Sequence, residues 1–179
     1  MSVTMRNRFS SAILLLLVGL GSGTAHSQGN PFIGTWELTS VRAISGDGSV
    51  DDAPYGDAPH GYITYTADGY MTVLFSFSDR PNIDGTWRSA SESDRAKAFA
   101  TVLGYAGTYS VEGQKMTHHI TVSTDPNRVG TSVSRIFELG SDTVTLTTPA
   151  IALEETAKRY SLKWKRVQPN TNFLKLSSY

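Results

Sequence analysis

The chain has 179 residues, with 16 basic and 16 acidic side chains and no cysteine, which suits one domain with a real hydrophobic core. Balanced charge without a long basic run argues against a nucleic-acid partner, whose phosphates need clustered Lys and Arg. Zero cysteine excludes disulfides, thiolate catalysis and Cys-ligated metals at one stroke.

The N-terminus reads as a secretory signal peptide over residues 1–27: Arg6 and Arg8 make a basic start, Ala12 to Leu20 is apolar, and Ala25-His26-Ser27 is a small-x-small cleavage site. The apolar run is well short of the roughly 20 residues a membrane-spanning helix needs. The mature chain is therefore expected to start near Gln28, to carry no membrane span, and to reside in the periplasm or outside the cell. Losing Arg6 and Arg8 leaves it slightly acidic.

From Gly34 onward, apolar and polar residues alternate with the period of two that marks half-buried strands. Eight are predicted, near 34–44, 61–66, 70–77, 105–111, 115–123, 131–139, 143–147 and 157–167. Gly34-Thr35-Trp36 opens the first, the glycine letting the chain pass close beneath the sheet while the indole plugs that end. Turn residues that tolerate positive φ fill most joints: Ser45-Gly46-Asp47-Gly48, Ala67-Asp68-Gly69, Glu112-Gly113-Gln114 and Gly140-Ser141-Asp142. Such joints are too short for parallel crossovers, so neighbouring strands are antiparallel. Ser89 to Leu103 has helical spacing, with Ser91 as a capping residue and Ala96, Ala98, Phe99, Val102 and Leu103 as its apolar face. Residues 46–60 form a long loop at a rim, and 168–179 a polar tail.

This order predicts an all-β fold: an eight-stranded antiparallel up-and-down barrel over residues 28–167 with one inserted α-helix, closure removing the exposed edges an open sheet would leave. A barrel of about eight strands holds side chains or one small ligand.

Comparing the two phases of each strand assigns the more apolar one to the interior. Met71, Val73, Phe75 and Phe77 go inward, as do Tyr160, Leu162 and Trp164. Met116, His118, Ile120 and Val122 form one inward set, and Val133, Arg135, Phe137 and Leu139 another. His118 and Arg135 thus fall among apolar neighbours. A guanidinium there must be paired. Either an anionic ligand or an internal carboxylate pairs it, or Arg135 plugs a barrel end by stacking on an aromatic such as Trp36. His118 is either a proton shuttle in a pocket or a core histidine bonded to a tyrosine. Adjacent His118 and His119 cannot both face one lumen metal, and a site from His60, His118 and Asp57 would need three remote positions to converge. No metal and no cofactor is expected. Tyr62, Tyr65, Tyr70, Tyr105 and Tyr109 suit barrel walls with hydroxyls at a wet rim, or a lumen for a planar aromatic guest.

Taken together, Gly34-Thr35-Trp36-Glu37-Leu38, the run from Pro59 to Met71, Tyr105-Ala106-Gly107-Thr108-Tyr109, the run from Thr117 to Ser123, and Arg135-Ile136-Phe137-Glu138-Leu139 resemble a bacterial and fungal family of small lipocalin-like domains. The resemblance implies a calycin-type barrel with a central apolar pocket, on a fold that hosts both carriers and enzymes. In lipocalins an arginine on the final strand packs over the tryptophan, and Arg166 is the matching residue here. Disulfides and the further motif of secreted lipocalins are absent, so a retinoid-like ligand does not carry over. The expected function is that of an exported lipocalin-like protein holding a small hydrophobic or aromatic, in one reading anionic, molecule against His118, Arg135, Tyr62, Tyr105, Phe75 and Trp164. A cyclase or isomerase using His118, Arg135 and a tyrosine on a hydrophobic metabolite is the alternative, followed by a ligand-free envelope module with a filled barrel.

Overall fold

A computed structural model describes residues 29–149 and 158–168, together with Met1. Apart from Met1, the expected signal peptide lies outside the described residues, as do the tail beyond Gln168 and position 157 of the last expected strand. Strands run in chain order as β1 (Gly34–Ile44), β2 (Val50–Asp51), β3 (His60–Tyr65), β4 (Tyr70–Ser76), β5 (Val102–Glu112), β6 (Lys115–Ser123), β7 (Ser132–Leu139), β8 (Thr143–Thr147) and β9 (Arg159–Arg166). Helix α1 (Glu92–Ala100) stands between β4 and β5, and a 3-10 turn (Pro126–Arg128) between β6 and β7.

Leaving β2 aside, each strand pairs antiparallel with the next, and β9 returns to pair with β1. The eight long strands form the expected closed barrel. Short β2 is an addition in the predicted rim loop, folding back on β1 through Ala43↔Asp51 around a turn at Gly48.

The N-terminal end of β1 and the C-terminal end of β9 meet at a filled end of the barrel. Trp36 is fully buried there, its Nε1–H donating to the Phe32 carbonyl at 2.8 Å. The Arg166 guanidinium sits 4.0 Å from the centre of the Trp36 ring. Arg166 also donates to the carbonyls of Ile33, at 2.8 Å, and Pro31. Gly34 makes room for this clamp, since a β-carbon there would stand 3.1 Å from Arg166 Nη1 and its φ of +124° excludes other residues. The plug is thus Arg166; Arg135 does not stack on Trp36 and lies further along the lumen.

Two expectations about packing are corrected. Val122 is not inward: Ala106 pairs with Val122 but Gly107 with Ile120, so Thr121 is an extra residue that reverses the phase and leaves Val122 59% exposed. Gly107 permits that bulge, because a β-carbon on it would lie 1.8 Å from the His119 carbonyl oxygen. The helix is also shorter and more solvated than its spacing suggests. Ser91 caps it by accepting from Asp94 N, it ends at Ala100, and it buries no side chain, with Phe99 55% exposed. Val102 and Leu103 belong instead to β5, hydrogen-bonded opposite Ser76 and Phe75.

Replacing Arg166 removes a cation–π contact and two hydrogen bonds to carbonyls. Arg166→Ala is expected to cost about 2 kcal/mol in denaturant unfolding, with Arg166→Lys recovering only part, because one ammonium cannot stack and fork together.

Candidate functional site

Away from the Trp36 plug the lumen is hollow, enclosing a cavity of about 290 Å³. Strand alternation delivers Ile63 from β3, Val73 and Phe75 from β4, Tyr105 from β5, His118 from β6, Val133 and Arg135 from β7, Leu146 from β8, and Tyr160, Leu162 and Trp164 from β9. The loop before β3 contributes Tyr55 across the mouth, its ring stacked on Phe77 at 4.1 Å and on Tyr160 at 5.7 Å. Ser78 N–H donates to the Tyr55 carbonyl at 3.0 Å and ties that loop to the barrel rim. Burial pushes the Tyr55 hydroxyl up to about 12, so it stays protonated.

Deeper in, four polar side chains form one chain. His118 Nε2 lies 2.9 Å from the Tyr65 hydroxyl and Nδ1 lies 2.9 Å from the Tyr105 hydroxyl. Arg135 Nη2 donates to the same Tyr105 oxygen at 3.3 Å, and its Nη1 to the Ser134 carbonyl at 3.2 Å. Burial lowers His118 to about 3, with the Arg135 charge adding to the effect, so the imidazole is neutral in the folded protein. Of the two readings of His118, the geometry matches a core histidine bonded to tyrosine, and bonded twice.

Arg135 is 8% exposed, and among the described residues no carboxylate reaches it. Its two hydrogen bonds use two of the five N–H groups a guanidinium carries. Arg128 stands at the mouth, 3.6 Å from Asp125, and no acidic side chain lines the cavity among the described residues. Trp164 Nε1 is buried in the wall without a hydrogen-bond partner among the described residues. The hollow is thus apolar over most of its wall and supplied with donors and positive charge at its polar end.

Five of the six expected site residues line this cavity: His118, Arg135, Tyr105, Phe75 and Trp164. Tyr62 does not. It is 43% exposed on the outer surface, its ring against that of His60, because Gly61, Ile63 and Tyr65 take the inward phase of β3. Gly61 sets that phase, since a β-carbon there would lie 2.2 Å from the Leu74 carbonyl oxygen. Tyr65, outside the expected site set, joins Tyr105 in reaching His118; its shared phase with Ile63 is the signal that finds it. Tyr55 lies in a loop, where no periodicity points inward. His60 faces Glu37 outside the barrel at 3.8 Å, and among the described residues no three metal-binding side chains come together.

A family model described as a lipocalin-like domain matches residues 33–167. The chain belongs to that lipocalin-like family. Among solved structures, it is similar to a lipocalin-like protein from Bacteroides uniformis, at 11% identity and a TM-score of 0.42, over 77% of this chain and 100% of that one. An uncharacterized protein from Bacteroides eggerthii is similar at 12% identity and a TM-score of 0.37, over 76% and 99% of the respective chains. No curated protein matches the chain. For a lipocalin-like barrel the lumen is the natural place for a small molecule, and no helix among the described residues is long and apolar enough to cross a membrane.

His118 makes stability depend on pH. Its folded value, about 3, lies below the ordinary 6.5, so between these limits the unfolded chain binds more protons and stability falls as pH falls, by up to about 1.4 kcal/mol per pH unit. Comparing wild type with His118→Gln by thermal unfolding from pH 7 to pH 4 is expected to show the steeper loss in wild type. Parallel curves would remove His118 as the cause.

Proposed function

We propose that the protein is an exported carrier or sensor that holds a small aromatic or apolar molecule with an anionic end in its lumen. One observation carries this reading: a buried guanidinium, Arg135, faces an aromatic-walled cavity with no carboxylate in reach among the described residues. A charge so placed costs stability unless something pairs it, and an anionic guest would do so. The cavity, about 290 Å³, falls at the small end of the range for ligand sites, roughly 300–1,000 Å³, which suits a guest smaller than a drug. Tyr55, Phe75, Tyr160 and Trp164 supply flat faces for its ring.

Binding is favoured over proton-transfer catalysis because both nitrogens of His118 are engaged by tyrosines, leaving no free base toward a substrate. The volume of the hollow argues against a filled envelope module. Export rests on the signal-peptide pattern; N-terminal sequencing of the protein from its own cell should find a start near Gln28.

The test of the site is Arg135→Met, which fills similar space without charge. Free Arg135→Met is expected to be as stable as wild type or more so, while its affinity for an aromatic carboxylate, found by thermal-shift screening and native mass spectrometry, falls about tenfold to a hundredfold. If Arg135 is only a structural strut, the variant loses stability instead. If no aromatic or aliphatic acid shifts the wild-type melting temperature, the proposed ligand class is wrong.

A further inference from the structure

The chain Tyr65–His118–Tyr105 has a direction that its surroundings decide. A neutral imidazole carries one donor and one acceptor, so two proton arrangements are available. In one, Tyr105 O–H donates to Nδ1, Nε2–H donates to the Tyr65 oxygen, and the Tyr65 hydroxyl hydrogen is left over. In the other, Tyr65 O–H donates to Nε2, Nδ1–H donates to the Tyr105 oxygen, and the left-over hydrogen belongs to Tyr105.

The two hydroxyls stand in different places. Tyr65 is 1% exposed, is absent from the cavity wall, and has His118 as the sole hydrogen-bond partner of its hydroxyl among the described residues. A hydrogen left there would be a buried donor without an acceptor, which folded proteins avoid. Tyr105 lines the cavity, and its oxygen already accepts from Arg135. A hydrogen left on Tyr105 has the lumen to point into. A doubly protonated His118 would likewise strand the Tyr65 hydroxyl hydrogen and set a second cation near Arg135, and burial opposes it.

We infer that Tyr65 fixes His118 as the Nδ1–H tautomer, and that this makes the Tyr105 hydroxyl a donor aimed into the lumen, so that the site selects guests whose polar end is a proton-free acceptor, a carboxylate or an enolate. The tautomer stands on the hydrogen bonds alone; its consequence for the guest rests on the binding reading above. Spare polar capacity at the inner end of the lumen is then of one kind, since Arg135 also only donates. An alcohol of the same shape would present its own hydrogen to an inner end with no side-chain acceptor free, the hydroxyls of Tyr55, Thr148 and Tyr160 lying toward the mouth. Tyr65 and His118 are on this view positioning residues: they determine specificity through Tyr105 without touching the guest's charge.

Nitrogen NMR of the mature protein with isotope-labelled histidine reads the tautomer directly at neutral pH. His118 is expected as pure Nδ1–H, and Tyr65→Phe, which removes the donor to Nε2, should admit the Nε2–H form. Wild-type His118 found as Nε2–H, or as imidazolium, overturns the inference, and this holds even if Tyr65→Phe does not fold. Cinnamate and cinnamyl alcohol then serve as paired probes. Cinnamate should bind wild type at least about tenfold more tightly than the alcohol, with the gap narrowing in Tyr65→Phe while Arg135 is intact. Equal binding of the two probes overturns the selectivity, and so does a gap that Tyr65→Phe leaves unchanged. Failure of both probes to bind counts against the ligand reading of the previous subsection, with the tautomer still judged from the spectrum.

Discussion

The inside of this molecule exists because β9 returns to β1. That pairing runs from Trp36↔Arg166 to Ile44↔Arg159, with a register shift at Leu38/Ser40. The shift matters as much as the pairing. Trp36 and Leu38 point inward before it, Val41 and Ala43 after it, so the strand keeps an apolar inner face while bending around the barrel. Once the sheet closes, each strand must send every second side chain into a space with no other exit. What the lumen contains is then decided strand by strand.

The two ends of that space are filled differently. At one end Phe32, Trp36 and Phe137 pack tightly, Phe32 and Phe137 meeting edge to face at 4.7 Å, with Arg166 laid over the indole outside. Arg166 keeps its charge near water and gives its hydrogen bonds to carbonyls of the entering chain. Arg135, the inward arginine, has no such arrangement. One cation helps to close the barrel, and the other is held inside it with most of its donors unspent.

Much of this was legible in the sequence, and the failures have physical causes. Alternation located the barrel strands, and the same phase comparison put His118 and Arg135 inside, because a polar residue among Met116, Ile120, Val133 and Phe137 can only be there by alternation. Where a bulge intervenes the method fails, as at Val122, because an extra residue reverses the phase and nothing at Thr121 announces it except the nearby Gly107 whose missing side chain permits it. Tyr62 has the residue type of a lumen wall, yet the phase of Ile63 and Tyr65 places it outside. Tyr55 was not legible at all: loop residues have no period, and its position depends on stacking with Phe77, just past the end of β4, and with Tyr160 of β9. The helix misled for a related reason, since Val102 and Leu103 satisfy a helical spacing and a strand equally well, and pairing with β4 decides between them.

The neutrality of His118 gives the polar end its character. Were the imidazole charged, it would donate to both Tyr65 and Tyr105 in a buried site near the Arg135 guanidinium, and the two cations would repel at low effective dielectric. Burial and Arg135 both push the other way. Arg135 is therefore the single full charge deep in the lumen among the described residues, and His118 relays hydrogen-bond direction without carrying charge. A fully satisfied apolar interior would be more stable, and a barrel needing only to stand would gain by replacing this chain of four with leucine and phenylalanine. Here the imidazole and Tyr65 satisfy each other, and the donors left unspent are those of Arg135 and Tyr105, the two members of the chain at the inner end of the hollow that can still donate.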